Sequence, residues 1–338
     1  MSPPPIDEPA VALPDPPSRV REVVSRDEVR GLRQPNRWRM SVDFGLVWLQ
    51  AAAGVSLFAV FWDMPSFLVG ALLVGSAQHG FGLIAHEGAH RLIVPDNRRL
   101  NDAIARLLFA APVLLPFSLY RERHFAHHRL VSTRDDTKEL YQRELAGWHL
   151  PLEVVRSLCG LDYFGQVVSV LRRGSKAAQT ALPDEAGART PSWLLQEGAA
   201  IGAVQLALFA AMSSVDVLLY PLMWLLPNVT VAMLCSKIRS AAEHHPSADE
   251  AGTDQPTAYF KNTAAPFLRS VRASWLERVF ISKINFHYHG EHHCWPGVSY
   301  QYLPILHERL HGRGLFAAAG IVAERTYLSS LRKLWAGP

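Results

Sequence analysis

Three short stretches of this chain concentrate imidazole side chains at spacings that suit metal ligation. They are His86-Glu-Gly-Ala-His90, His124-Phe-Ala-His127-His128 and His289-Gly-Glu-His292-His293. A ninth histidine, His244, stands apart in Glu243-His244-His245. Neutral imidazole is the commonest side-chain metal ligand near pH 7. On a helix, residues at i, i+3 and i+4 share one face, so each box aims two or three imidazoles at one point. Nine such ligands exceed what one tetrahedral zinc uses. Two metals in a shared histidine-rich cage is the simplest arrangement that employs them all.

Such a cage needs elements that gather distant boxes. Residues 44–62 carry no charge and are about one bilayer thickness as a helix. Residues 64–85 follow, with Asp63 and Pro65 marking the tight turn between the two runs, and lead directly into His86. Residues 198–215 and 217–236 form a second pair, split at Asp216 and closed by Lys237. Four uncharged stretches near the spanning length predict four transmembrane helices in two hairpins rather than a soluble bundle. Residues 107–120 are apolar but too short to cross, and hold Pro112 and Pro116. They read as a re-entrant or interfacial segment. Residues 151–173 show helical apolar spacing, which predicts a helix lying on the membrane surface or packed on a cytosolic cap.

Of the 338 residues, 49% are hydrophobic and only 19% charged, with a formal net charge of +4. That charged fraction is low for a soluble protein. The cysteines, Cys159, Cys235 and Cys294, form no CxxC pair. This argues against a disulfide scaffold and excludes a fused rubredoxin-type iron centre. About the first 20 residues are proline-rich and read as disordered, without the pattern of a cleavable signal peptide. Arg19 to Arg39 carries seven arginines and reads as a juxtamembrane basic segment, so residues 1–40 form a tail before a single membrane domain, 41–338. The positive-inside rule places that segment and the loop from Arg121 to Arg189 in the cytoplasm. Both termini, all three boxes and His244 then lie on the same cytoplasmic side.

With the boxes in this setting, the chain resembles the membrane fatty acid desaturase and hydroxylase superfamily. The resemblance extends to Asn101-Asp102, Tyr120-Arg121, Asp135-Asp136, Arg239 with Glu243-His244, Asn285 to His293, Pro296 and Leu303-Pro304. It covers about residues 42 to 312 and implies an all-α integral membrane fold with a cytosolic helical cap around a histidine-ligated dimetal site. By this resemblance His86, His90, His124, His127, His128, His244, His289, His292 and His293 are ligands of two iron ions, and O2 is the co-substrate. His245 is the alternative to His244. The chain has Asp-Asp-Thr after the second box where many members have Asp-Pro-Asp.

Breaking an unactivated C–H bond needs an oxidant stronger than any side chain, which a metal pair with O2 and two external electrons supplies. Imidazole also suits zinc and copper, so the iron rests on the resemblance. A ligating imidazole usually donates its other N–H to a carboxylate or carbonyl. Glu87, Asp135, Asp136, Glu243 and Glu291 are candidates for that role, and Asn285 is a candidate to bind a metal-bound water.

The expected reaction is O2-dependent desaturation of a fatty acyl or lipid chain. The alternative is hydroxylation or ketolation of a carotenoid or specialised metabolite. A separate ferredoxin or cytochrome b5-type protein with its reductase should supply electrons, drawn by the basic surface, and no nucleic acid is expected as a partner. A different class remains open. His86-Glu-Gly-Ala-His90 and His307-Glu-Arg-Leu-His311 both match the HExxH pattern of zinc metalloproteases. That reading leaves two boxes idle, and His307 and His311 are expected on an exposed C-terminal helix. A ferritin-like reading through Glu87, His90, Glu308 and His311 uses fewer still. Of the polar residues in the spans, His79 lies two turns from His86 on one face, where it lines a tunnel or packs internally. Trp48, Trp62, Trp193 and Trp224 either anchor at the interfaces or pack. Gly70, Gly75, Gly80 and Gly82 allow a close approach by helices or an acyl chain.

Overall fold

The computed structural model describes residues 20, 23–131, 147–168, 191–244 and 268–336. Among these residues, four helices are long and apolar enough to cross a membrane: Arg37–Phe61 (α2), Met64–Ala89 (α3), Leu194–Ser213 within Pro191–Ser213 (α8), and the broken stretch Pro221–Glu243. Asn36 caps α2 by accepting the Arg39 N–H. Trp62 then turns the chain in the left-handed region, and Asp63 caps α3 in a reciprocal pair with Ser66. The predicted first span thus begins seven residues earlier, and the second runs through the first box.

Glycine lets these helices touch. The Gly54 carbonyl lies 2.6 Å from where a Gly70 Cβ would stand, and Val231 lies 2.4 Å from a Cβ on Gly75. A Cβ on Gly82 would meet nothing within 4 Å. Gly75→Leu is expected to cost about 1–3 kcal/mol through forced separation at Val231. A lowered Tm for Gly75→Leu, with Gly82→Ala near wild type, checks this.

The short apolar segment is bent by 95°. Arg98–Ile104 (α4) widens to a π-helical turn, Ala105–Ala110, and a short 3-10 turn, Ala111–Val113. Leu114 is left-handed, and Phe117–Leu130 (α5) begins behind Pro116. Breaking a helix at this depth frees carbonyl groups that lipid cannot satisfy. Polar residues of the neighbouring spans satisfy them. Gln205 donates to Ala111 and Pro112, Trp224 to Pro112, and Asn228 to Val113. Trp224 is therefore not an interface anchor: it is 2% exposed and stacked on Trp48 with ring centroids 6.1 Å apart.

The last span is interrupted as well. A π-helical turn, Pro221–Leu225, leads to Leu226–Val229 (α9), and at Thr230 the backbone leaves helical geometry. Val231–Glu243 (α10) then carries the helix past the predicted end at Ser236. Lys237 lies inside it at 3% exposed, because Glu153 and Asp162 both reach its ammonium. These acids belong to His149–Leu158 (α6) and a helix at 161–168 (α7), joined through left-handed Gly160. The amphipathic pair is inverted. Its charged face is buried on α10, and Leu152, Val155, Leu158, Leu161 and Phe164 point outward.

Two expectations need correction. The fold is mostly helical rather than all-α: Leu268–Val271 (β1) pairs in parallel with Ile321–Glu324 (β2). Pairing between four-residue strands some fifty residues apart leaves no local periodic signal. The buried pair Arg269 and Glu324 ties the strands together. The arginine-rich segment is also not a tail. Arg26–Leu32 (α1) is closed by a Ser25–Glu28 capping box. Val20, Val23 and Val24 are buried, and Glu28 pairs with Arg309 at 3.0 Å on Leu303–Gly312 (α13). Residues 1–19 lie outside the described residues.

Candidate metal centre

Local structure explains how each box is held. The first box closes α3, and the Gly88 carbonyl there accepts from Asn101 at 2.8 Å and Arg121 at 3.0 Å. Asn101 also accepts the Ile93 and Val94 N–H groups, while Arg121 pairs with Asp102. Asn101, Asp102 and Arg121 thereby fasten the end of the first box to the helix bearing the second. That helix, α5, starts after proline and has no side-chain cap of its own. Glu197 of α8 supplies one, accepting the Phe117 and Ser118 N–H groups at 3.0 and 3.1 Å and pairing with Arg106. A carboxylate at a helix N-terminus is favoured by the helix dipole. The third box forms His289–Cys294 (α12), which follows the short helix Trp275–Phe280 (α11). A Cβ on its Gly290 would lie 2.8 Å from Ile321, so the missing side chain lets β2 pack there.

These supports bring all nine predicted histidines together, each at most 8% exposed. They divide into two groups. His86, His90, His124, His128 and His292 form one; His127, His244, His289 and His293 form the other. Within each group one nitrogen per ring lies within 4.8 Å of all the others. The division follows helix geometry. Each i, i+4 pair stays in one group: His86 with His90, His124 with His128, and His289 with His293. The i+3 histidine of each HxxHH box crosses to the other group.

The nitrogens fit metal ions. The Nε2 atoms of His90 and His128 stand 2.7 and 2.9 Å from that of His124. Those of His244 and His293 stand 2.8 and 3.0 Å from that of His289. One ring nitrogen has a single proton or lone pair, so it cannot pair with two neighbours. A cation at the convergence point satisfies all of them. Nitrogens about 2.1 Å from a metal and at right angles lie about 3.0 Å apart, matching this spacing. Both ring nitrogens of His86 are buried without a hydrogen-bond partner among the described residues. Burial, followed by Arg121 and Arg33, pushes His90 down to about 3, and burial holds His293 well below 6.5. Both rings therefore stay neutral, the form that binds metal.

The carboxylates behave less uniformly. Glu243 Oε2 lies 3.6 Å from His289 Nδ1, and its other oxygen accepts from Arg239 and Tyr327 at 2.9 and 2.7 Å. Glu291 is paired with His307 at 2.6 Å. Glu87 accepts the Tyr300 backbone N–H at 3.2 Å. The Asn285 amide donates to the Tyr300 carbonyl at 3.3 Å. Asp135, Asp136 and His245 lie outside the described residues. His307 is not on a free surface as expected; it is half-buried against Glu291, whereas His311 is exposed. Neither joins the metal groups, nor does Glu308.

A cavity of about 570 Å³ reaches both groups through His86, His124 and His127. Leu83, Leu115, Leu119, Val167 and Met233 make apolar walls, with Gly82 among the lining residues. Gln78, His79 and Asn228 line it as well. The fatty acid desaturase family matches residues 63–322. The chain belongs to the fatty acid desaturase family. This family member also resembles the dihydrorhizobitoxine desaturase of Bradyrhizobium elkanii. The two are 22% identical over 255 residues, spanning 74% of this chain and 68% of the relative. Membership makes the chain an oxidoreductase.

Proposed function

We propose that this enzyme desaturates an apolar chain, a fatty acyl or lipid chain in the first instance, at a pair of histidine-held irons. The single observation that carries the reading is the apolar-walled cavity that touches both histidine groups. The first iron would be held by His86, His90, His124, His128 and His292, the second by His127, His244, His289 and His293. Bound irons supply the oxidising power, drawn from O2 and two electrons, that the side chains lack. The protein's own part is positional. Leu83, Leu115 and Leu119 exclude water and lay the chain along the wall. Small displacements of a methylene there decide whether a second hydrogen leaves or oxygen is inserted. Desaturation is favoured over hydroxylation or ketolation because the family and the named relative share it.

The outward apolar face of α6 and α7 suits the membrane surface, with the histidine groups and both termini on the cytoplasmic side. Electrons would come from a separate ferredoxin or cytochrome b5-type protein. The metal content of detergent-purified protein tests the centre first. Two irons per chain, followed by a lipid product in a reductase-coupled assay, is the expected result. One zinc, insensitive to changes at His124, His127 or His128, would sink the proposal.

Two variants sharpen it. Glu87→Gln is expected to lower turnover by less than about tenfold, because the Tyr300 N–H can still be accepted. Loss of a protease's general base costs about 10²–10⁴. Gly82→Phe should fill the cavity, reducing turnover of a long-chain substrate by about tenfold or more with iron content unchanged. Unaltered kinetics on that substrate would remove the cavity from the reading.

A further inference from the structure

Two buried lysines in this protein are treated in opposite ways. Lys237 is neutralised by Glu153 and Asp162. Lys283 is 7% exposed, and its described hydrogen-bond partners are both neutral: Gln50 Oε1 at 2.8 Å and the Val279 carbonyl. A buried ammonium without a counter-ion is costly. Burial pushes this one down to about 8. The placement is built into the spans. The Lys283 stem crosses the bare backbone of Gly80, where a Cβ would stand 2.6 Å from Lys283 Cδ. Gln50 is itself fixed by the Leu73 carbonyl and Ser76 hydroxyl at 3.0 and 3.2 Å.

Lys283 lines a groove of about 270 Å³ that shares no residue with the cavity above the histidines. Arg39, Asp43 and Leu46 of α2 form one side, and Arg278 and His287 the other. Three cations therefore face a single carboxylate, and that carboxylate is engaged. Asp43 accepts from the Tyr300 hydroxyl at 2.7 Å and lies 3.9 Å from Arg39. Arg278 donates to the carbonyls of Ala273 and Arg272 at 3.2 and 3.1 Å, both neutral. His287 is 1% exposed. The Ser282 backbone lies beside it, yet neither ring nitrogen completes a hydrogen bond among the described residues. A neutral imidazole always has one N–H to donate. Leu46, at 56% exposed, opens the groove on the outer surface of the first span, near its N-terminal end.

We propose that this groove binds a phosphate group, carried on a lipid headgroup or free in solution. Phosphate offers several acceptor oxygens and enough charge for three cations and an imidazole. Basic pockets at the ends of membrane helices suit such headgroups. The assignment is independent of the oxidation reaction, because binding rather than turnover reads it out.

The test uses the full-length protein in detergent, stripped of lipid. Phosphatidylglycerol in mixed micelles, uncharged diacylglycerol in the same micelles, and inorganic phosphate are titrated separately while Tm and bound phosphorus are followed. Phosphatidylglycerol is expected to bind at about one per chain and raise Tm, with diacylglycerol inert. Lys283→Gln and Arg278→Gln should each weaken that binding by about tenfold or more, at wild-type metal content. Arg278 is exposed, so its variant remains informative should Lys283→Gln misfold. Protection by inorganic phosphate as well would identify a free anion as sufficient; protection by the lipid alone would identify the headgroup. Equal binding of both phosphates by wild type and Arg278→Gln, or no binding at all, would overturn the proposal.

Discussion

Replacing His127 by alanine will strip more metal from this protein than replacing His90 by alanine. His127 belongs to the group of four histidines, which would fall to three. His90 belongs to the group of five, which would keep four. Four imidazoles still complete a coordination sphere, and three leave it open to water and loss. Elemental analysis should therefore give about one iron per chain for His127→Ala and about two for His90→Ala. Turnover should vanish in the first and survive, reduced, in the second. Equal metal loss in both variants would contradict the division of the histidines into five and four.

Lys237→Met is expected to have the largest effect on stability. It leaves the carboxylates of Glu153 and Asp162, 8% and 2% exposed, facing each other without their shared ammonium. Arg156 is 3.4 and 3.8 Å from them but is partly solvated, and compensates only in part. Removing one partner of a buried ionic cluster costs about 3–5 kcal/mol. Helices α6 and α7 should then loosen, and with them the cavity wall at Tyr163, Gln166 and Val167. Thermal unfolding in detergent should show a lowered Tm, and the double variant Lys237→Met, Asp162→Asn should regain about half of the loss. A single variant as stable as wild type would mean the cluster holds nothing in place.

The contrast between Lys237 and the histidines shows what was legible in the sequence. Histidine boxes advertise themselves because their ligands are neighbours on one helical turn, and turn periodicity is written locally. The four spans were legible for the same reason, as was the bend promised by Pro112 and Pro116. Lys237 was read as the end of a span because a lone charge in an apolar run costs too much to bury. Its two acids lie more than seventy positions earlier, on helices whose apolar spacing leaves open whether the apolar face meets the membrane or the cap. Glu197 carries no local signal, for a related reason. It sits just before a predicted span yet caps a helix eighty positions upstream, which no local pattern encodes. The polar residues Gln205 and Asn228 were visible, but their task, serving the carbonyls of a broken helix, appears only when the break and the spans are side by side.

The crossing of one histidine from each HxxHH helix into the opposite group has a thermodynamic consequence. Helices α5 and α12 each contribute histidines to both groups, so the distance between two bound ions would be set by intrahelical geometry. Twisting either helix misaligns ligands for both ions at once. A first ion bound at either group would pin α5 and α12 against each other, so that a second would meet a nest already formed. Linkage would make the benefit mutual, each ion raising the affinity for the other by the same factor. Two ions held this way would be coupled, so a variant left with one ion would hold it less tightly than the filled centre does.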